Sequence, residues 1–212
     1  AEMEGDFKKK IFDASQVVNG LSEKITLQRG TIQQLKNELS SLKDKYREAL
    51  KQDGDTSSLE AKIKSTSEKL REQKSVLFNK LFKHYKGALQ GKKIAVWGLA
   101  FKPETDDMRE ATSLVTIDRL LREGCKVRVY DPVAMEECRR RMGGGVEYAA
   151  DMYDTVLEVD ALLIQTEWKQ FRLPNWSLLL KLMNNPVIID GRNIYDAEEL
   201  QHLGFDYYCI GR

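Results

Sequence analysis

The sequence predicts an α/β domain built on a doubly wound parallel sheet, preceded by a long helical segment. Two observations carry this prediction. From about residue 90 onward, short apolar runs of strand length alternate with helical stretches, which is typical of a parallel sheet with crossover helices. The first 74 residues contain no proline, tryptophan or cysteine and repeat their apolar positions every seven residues. We therefore predict a coiled coil or helical hairpin over 1–72, a linking helix over 73–90 and the α/β domain over 91–212.

The helical segment carries six heptads in which apolar positions step alternately by four and three residues. β-Branched residues at several a positions with leucine at several d positions favour a parallel dimer, so a homodimer is the expected partner state. Gln28 is a polar d residue and is expected to set the register. The a series is Ile11, Val18, Ile25, Ile32, Leu39 and Tyr46, and the d series is Phe7, Ala14, Leu21, Gln28, Leu35, Leu42 and Ala49.

A second helix is expected after the turn residues Gln52–Asp55. Ser57 and Glu60 have the spacing of a capping box at its start. The short connection allows the second helix to fold back as an antiparallel hairpin, and an interrupted parallel coiled coil is the alternative. Gly87 is predicted to cap the linking helix at its carboxyl end.

The α/β region reads as six strands with a helix after each of the first five. Such units form a parallel, Rossmann-like sheet. The strands are Lys93–Trp97, Lys126–Tyr130, Val146–Tyr148, Ala161–Gln165, Val187–Asp190 and Tyr207–Ile210, and the helices are Ala111–Glu123 (capped by Gly124), Ala134–Met142, Met152–Glu158, Trp176–Met183 and Ala197–Leu203.

Composition argues against several classes of function. The net charge of +1 gives no reason to expect nucleic acid or membrane as a partner. Three cysteines without CxxC spacing predict reduced thiols, a cytoplasmic location and no metal site. The histidines, His84 and His202, lie far apart in the sequence and are expected on helix surfaces.

The turn after the first strand lacks the fingerprint of a dinucleotide site. It reads Gly98-Leu99-Ala100, with one glycine in place of GxGxxG, and the loop before the next helix is longer than a phosphate-binding turn. Asp131 ends the second strand, where a ribose-binding acid would lie, but an Asp-Pro pair also ends strands in general.

Several uncommon motifs occur together in the α/β region. They are WGLAFKPETDDMREA at Trp97–Ala111, VYDP at Val129–Pro132, TEW at Thr166–Trp168, IIDGRN at Ile188–Asn193 and the closing Gly211-Arg212. In this order they resemble the C-terminal, UDP-binding domain of UDP-glucose 6-dehydrogenase and its relatives, the UDP-glucose/GDP-mannose dehydrogenase family. The resemblance covers about Gln73 to Arg212, and the helical segment has no counterpart in it.

The resemblance implies which residues face a ligand. Phe101 and Lys102 match a pair that contacts the sugar nucleotide, and Arg192 matches an arginine at the nucleotide. Arg109 matches an arginine that reaches NAD held by another domain. From its neighbours alone, Arg109 is expected to pair with Asp106, Asp107 or Glu110, and Lys102 reads as a solvated lysine.

Other parts of the family enzyme have no match in this sequence. In the family, a Rossmann domain binds NAD and a cysteine forms a thioester with the sugar. We therefore expect this chain to bind UDP-sugar weakly, to hold no cofactor by itself, to contain no catalytic residue and to be inactive alone. The alternative is a structural or interaction protein, or an engineered fusion, whose coiled coil is the functional part. The opening Ala-Glu-Met-Glu-Gly resembles a cloning remnant.

In the same loops, Thr105 and Asp106 are expected to shape the backbone by local hydrogen bonds. Trp97 and Trp168 are expected to lie in the core.

Overall fold

The chain folds as two units, a helical unit that ends at Lys74 and an α/β unit from Ser75 to Ile210. The computed structural model describes residues 2–51 and 55–210, with the backbone alone for 2–14, 17, 18, 21 and 25. The predicted turn at 52–54, the closing Gly211-Arg212 and the side chains of the first heptads lie outside the described residues.

The helical unit is an antiparallel hairpin. Helix α1 spans Glu2–Lys51 and helix α2 spans Ser57–Gln73. Three side-chain hydrogen bonds cross between them with descending partner numbers, as an antiparallel pair requires: Gln28 Nε2 to the Gln73 carbonyl, Thr66 Oγ1 to Glu38 Oε1, and Tyr46 Oη to Glu60 Oε1, each at 3.2 Å. Within the chain, the structure therefore selects the hairpin over the interrupted parallel coil.

The start of α2 differs from the prediction. The Ser57–Glu60 capping box is wrong, because Thr56 is the N-cap and its hydroxyl bonds to Glu60 Oε1 at 3.0 Å. Asp55 Oδ1 accepts both the N–H and the hydroxyl of Ser57, at 2.9 and 2.6 Å. A carboxylate two residues upstream is the stronger acceptor, and it fixes the turn before the helix begins.

The segment predicted as one linking helix contains a break. Helix α2 ends at Gln73, Ser75 is the N-cap of helix α3, and α3 spans Val76–His84. Gly87 is not the residue at the C′ position, because Lys86 occupies it with a φ of 49°. The Lys86 N–H bonds to the Lys83 carbonyl and the Gly87 N–H to the Phe82 carbonyl, which is the Schellman pattern.

The α/β unit contains one sheet of six parallel strands in the order β3-β2-β1-β4-β5-β6. Each predicted strand is present within one residue of its expected bounds. The strands are β1 Lys93–Trp97, β2 Lys126–Tyr130, β3 Glu147–Tyr148, β4 Ala161–Ile164, β5 Val187–Asp190 and β6 Asp206–Cys209, and the helices are α4 Thr112–Arg122, α5 Met135–Met142, α6 Met152–Thr155, α7 Trp176–Leu182 and α8 Ala197–His202.

Two cores cover the two faces of this sheet. Alternate residues of each strand point to opposite faces, so Val96 joins one core and its neighbour Trp97 joins the other. Leu81 of α3 belongs to the first core, which makes α3 part of the α/β unit. Phe171 stacks on Trp97 in the second core, with ring centroids 5.0 Å apart. A sheet buried on both faces leaves the carboxyl ends of the strands as the place for ligand-binding loops.

Candidate functional site

The loops that follow β1, β2, β4 and β5 meet at the carboxyl edge of the sheet. In this strand order, β1 and β4 are neighbours although their connections leave in opposite directions, so the edge between them is the topological switch point. The candidate ligand-facing residues lie on the β1 loop and on the β5 loop. The contacts that hold these loops together therefore determine the geometry of the site.

Asp131, directly after β2, joins the loops from inside. The residue is 1% exposed. Its Oδ2 accepts the N–H groups of Leu99 and Ala100 and the indole N–H of Trp168, at 2.7, 3.3 and 3.1 Å. Its Oδ1 accepts the N–H groups of Val133 and Ala134, at 2.9 and 2.8 Å. Five donors from three loops thus converge on one carboxylate, which gives Asp131 a structural role and none of the geometry of a ribose ligand.

The first turn does not fit a dinucleotide. Gly98 has a φ of 87°, and a Cβ added there would lie 2.5 Å from Thr166 Cβ and 2.6 Å from Thr166 N. The glycine is needed for this close approach of the β1 and β4 loops. The next two N–H groups, which would face a pyrophosphate in a phosphate-binding turn, bond to Asp131 instead.

Arg192 spans the gap between the β5 loop and the two central loops. Its Nε donates to the Gln165 carbonyl at 2.5 Å and lies 3.0 Å from Glu167 Oε2. Its Nη2 donates to the Phe101 carbonyl at 3.4 Å. The side chain is 22% exposed, so the guanidinium is partly buried but reaches the surface beside Phe101. Arg192 and Phe101, which lie 91 positions apart in the sequence, are thereby brought together.

The β1 loop presents Phe101 and Lys102 to solvent. Phe101 is 50% exposed, which is unusual for a phenylalanine, and Lys102 is exposed beside it. The Phe101 N–H bonds to the Asp107 carbonyl at 2.9 Å and closes the loop. The structure therefore groups three of the four predicted residues, Phe101, Lys102 and Arg192, at one edge.

Arg109 is in a different environment. Its Nε and Nη2 bond to the two oxygens of Asp107 at 3.0 and 2.8 Å, and its side chain is 78% exposed. These hydrogen bonds lower the pKa of Asp107 well below its usual range and raise that of Arg109. The ion pair expected for Arg109 is present, with Asp107 as partner, and the contact with NAD stays a prediction.

The β5 loop is held by a second buried carboxylate. Asp190, 1% exposed, accepts three backbone N–H groups and the hydroxyl of Tyr207, at 2.7 to 2.9 Å. Burial, followed by the charge of Asp190, raises the pKa of Tyr207 far above its ordinary value. Asn193, with a φ of 54°, exchanges two hydrogen bonds with the backbone of Ile210. Arg192 therefore projects from a rigid turn.

Several smaller predictions can be compared with this site. Thr105 does shape its loop, because its hydroxyl accepts the Asp107 N–H at 3.1 Å. A second side-chain hydrogen bond to the loop backbone, from the Arg109 N–H, is accepted by Asp107 and not by the predicted Asp106. Trp97 and Trp168 are buried, as expected. Within residues 2–51 and 55–210 no group of three or more histidine, cysteine or acidic residues could hold a metal ion.

Sequence reasoning missed the roles of three acidic residues, Asp131, Asp190 and Glu167. For the two aspartates a signal exists, since each stands at the carboxyl end of a strand and is followed by proline or glycine. A carboxylate in that position can accept the N–H groups of the turn that follows. For Glu167 no local signal exists, because its partner Arg192 comes from another strand.

Comparison with known proteins agrees with this geometry. Residues 95–197 match the family model described as UDP-glucose/GDP-mannose dehydrogenase family, UDP binding domain. The α/β unit belongs to this family. The matched range contains the whole carboxyl edge, from Trp97 to Asn193, so every residue of the candidate site lies inside the family domain.

Relatives of this dehydrogenase-family domain are known in sequence and in structure. UDP-glucose 6-dehydrogenase of Pseudomonas aeruginosa is 45% identical over 145 residues, which is 66% of this chain and 32% of that protein. UDP-glucose 6-dehydrogenase TuaD of Bacillus subtilis is 42% identical over 59% of this chain and 27% of its own length. The chain thus spans about a third of the length of the curated relatives it matches.

Solved structures of dehydrogenases also resemble about 70% of this chain and match it with about a third of their own length. A UDP-glucose dehydrogenase from Pyrobaculum islandicum has a TM-score of 0.54 and 29% identity, over 69% of this chain and 31% of its own. An NDP-N-acetyl-D-galactosaminuronic acid dehydrogenase from Methanosarcina mazei has a TM-score of 0.57 and 26% identity, over 73% of this chain and 32% of its own. Among the described residues, no helix is long and apolar enough to cross a membrane.

Proposed function

We propose that the α/β unit binds the UDP part of a UDP-sugar at the carboxyl edge of its sheet. The observation that carries the proposal is the contact between Arg192 and the Phe101 carbonyl, which sets a guanidinium beside an exposed aromatic ring and a lysine. An arginine can fork two phosphate oxygens and a lysine adds a mobile charge, while an exposed ring can contact a base or sugar.

The proposal concerns binding and not turnover. The match with UDP-glucose 6-dehydrogenase of Pseudomonas aeruginosa covers 32% of that protein, and amino-acid side chains by themselves do not transfer a hydride. A site made from one unit supplies fewer contacts than one closed between domains. We therefore expect a dissociation constant on the order of millimolar.

Isothermal titration of the full chain with UDP and UDP-glucose tests the proposal. Saturable binding is expected, and Lys102→Ala and Arg192→Ala are each expected to weaken it about tenfold. Lys126→Ala is the matched control, because Lys126 is an exposed lysine at the opposite edge of the sheet. No saturation at about 10 mM UDP, or equal losses in the control, would refute the proposal.

A second function, self-association, is favoured by the length of α1. Gln73 ends α2 and bonds to Gln28, so α1 continues for residues 2–27 beyond that contact while the heptad pattern of the sequence goes on. We propose that this extension pairs with a second copy. Light scattering should give a dimer mass for the full chain and a monomer mass after removal of residues 1–27, and a monomeric full chain would refute it.

A further inference from the structure

The first turn of α3 lies against the turn that carries Arg192. Gly191 comes directly before Arg192, and a Cβ added to Gly191 would lie 2.8 Å from Leu77 Cδ2 and 3.0 Å from Leu77 Cδ1. Leu77 is the second residue of α3, is 6% exposed and belongs to the first core. Its two methyl groups therefore occupy the space that a side chain at position 191 would take, and glycine permits this close approach.

Helix α3 presents Leu77 from a fixed position on the α/β unit. Leu81, one turn further along the same helix, is fully buried in the first core. The Arg119 guanidinium of α4 lies over the ring of Phe78, 4.4 Å from its centroid. The helix is thus anchored on both sides of the contact, so the Leu77 methyl groups form a firm surface for the turn.

Hydrogen bonds hold the rest of this turn. The Gly191 N–H donates to the Ile164 carbonyl at 2.9 Å, and Asp190 accepts the next three N–H groups. On the side that faces α3, the side-chain atoms nearest to the Gly191 Cβ position both belong to Leu77. Hydrogen bonds therefore define the shape of the turn, and packing against Leu77 defines where it lies relative to α3.

The position of the turn matters because one contact of Arg192 has little margin. Its Nη2 lies 3.4 Å from the Phe101 carbonyl, whereas N–H···O hydrogen bonds usually measure about 2.7–3.2 Å. Truncating Leu77 would leave a cavity beside Gly191, and the atoms around such a cavity relax partly into it. We expect the turn to move toward α3 and the contact with the Phe101 carbonyl to be lost.

We propose that Leu77 is a positioning residue for the nucleotide site, because its contact with Gly191 sets the turn from which Arg192 reaches the Phe101 carbonyl. This inference rests on the proposed binding of UDP. A guanidinium that is already in place need not be ordered when phosphate binds, and that ordering otherwise reduces affinity. The inference adds α3, which lies outside the matched residues 95–197, to the parts of the chain that determine affinity.

Two leucines of α3 separate positioning from stability. Leu77→Ala should weaken UDP binding about fivefold. Leu81→Ala is the matched control, since it also opens a cavity in the first core but lies one helical turn, about 6 Å, further along α3. It should lower the urea midpoint at least as much as Leu77→Ala does and change UDP affinity less than about twofold. Leu77→Met keeps side-chain atoms against Gly191 and should bind UDP within about twofold of the wild-type chain.

The route through Arg192 is tested by combining substitutions. In the Arg192→Ala chain the guanidinium is absent, so adding Leu77→Ala should change UDP affinity less than about twofold. An equal fivefold loss in both backgrounds would show that Leu77 does not act through Arg192. Titrations followed by backbone amide shifts measure binding in this range, and urea unfolding followed by tryptophan fluorescence establishes that each variant is folded. Where Leu77→Ala does not fold, Leu77→Val replaces it, with an expected loss of about threefold.

A further measurement does not depend on UDP. The Nε–H resonance of Arg192, identified by its loss in Arg192→Ala, reports the hydrogen bond to the Gln165 carbonyl. It should shift and exchange faster with water in Leu77→Ala, and stay unchanged in Leu81→Ala and Leu77→Met. An unchanged resonance in Leu77→Ala would overturn the positioning role.

The outcomes distinguish this inference from the proposed function. If the wild-type chain binds UDP and Leu77→Ala binds it as tightly, or if Leu81→Ala loses as much affinity as Leu77→Ala, the positioning role alone is overturned. If the wild-type chain binds no UDP, the proposed function is refuted, and this inference fails with it whatever the Nε–H resonance shows.

Discussion

Replacing Asp131 by asparagine should destabilise the α/β unit, because both of its carboxylate oxygens are used. Oδ2 accepts three N–H groups and Oδ1 accepts two, all within 2.7–3.3 Å. Asparagine supplies one acceptor oxygen and one NH₂ group. In its better orientation, the amide oxygen replaces Oδ2 and the NH₂ group faces the N–H groups of Val133 and Ala134, which then have no acceptor.

The magnitude follows from those two donors. A buried donor without a partner costs about 1–3 kcal/mol. Ala134 is fully buried and Val133 is 51% exposed, so water can relieve part of the cost at Val133 only. We expect a loss of about 3 kcal/mol in the free energy of unfolding. At a typical urea slope of about 2 kcal/mol per M, the midpoint falls by about 1.5 M.

The assay is urea unfolding of the full chain followed by tryptophan fluorescence. All three tryptophans lie in the α/β unit, so the signal reports on that unit alone. Asp151→Asn is the matched control. Asp151 is the exposed N-cap of α6, and only its Oδ1 accepts hydrogen bonds, from Tyr153 and Asp154. Asparagine caps a helix as well as aspartate does, so the control should change by less than about 0.5 kcal/mol. Equal midpoint shifts in both variants would refute the reasoning about Asp131.

Three further predictions concern packing and ionisation. Gly98→Ala should lower the free energy of unfolding by about 3 kcal/mol or more, because the new Cβ adds backbone strain at a positive φ and overlaps Thr166. Gly143→Ala is the control, since Gly143 also has a positive φ but lies in open space, and its loss should be about 1 kcal/mol. Equal urea midpoints in the two variants would contradict this prediction. Burial raises the pKa of the Cys125 and Cys138 thiols to about 11. A thiol reagent at about pH 8 should therefore label these two cysteines slowly in the native chain and at once in the urea-unfolded chain. Fast labelling of both in the native chain would be inconsistent with this prediction. Burial also raises the pKa of Tyr85 to about 12 from 10.0, so between these pH values the folded state keeps a proton that the unfolded chain releases. The free energy of unfolding should therefore fall as the pH rises from 10.0 to about 12, by up to about 1 kcal/mol per pH unit. The decrease should be smaller in Tyr85→Phe. An unchanged slope in that variant would count against it.

Much of the fold could be predicted because the signals are local. The strands β1, β2 and β5 begin and end at the predicted residues, since each is a short run rich in strand-forming residues and is followed by a turn residue. Helix ends were less well predicted. Lys86 rather than Gly87 takes the left-handed C′ position, and Asp55 rather than Glu60 accepts the N–H of Ser57 at the start of α2. Which of several neighbouring residues ends a helix or bonds to its first turn depends on shifts of a few tenths of an ångström, and the sequence pattern does not resolve them.

The candidate site was predictable as a set of residues and not as a geometry. The motifs around Phe101, Lys102 and Arg192 stand out in the sequence, but nothing local indicates that the Arg192 guanidinium reaches the Phe101 carbonyl. The bonds of Asp131 to Leu99 and Ala100, and the pairing of Glu167 with Arg192, form only when loops from different strands are close, since these partners lie 31 or more and 25 positions away.

By itself, the sequence determined the class of the fold, the family of the α/β unit and the residues that could face a nucleotide, because periodicity and motif order are properties of the linear chain. Only the tertiary structure decided that α1 and α2 form an antiparallel hairpin, and that the first turn gives its N–H groups to Asp131. Heptad spacing is the same for a partner in the same chain or in another. A buried carboxylate or N–H likewise binds whichever group the completed fold brings within about 3 Å, and the sequence does not list those neighbours.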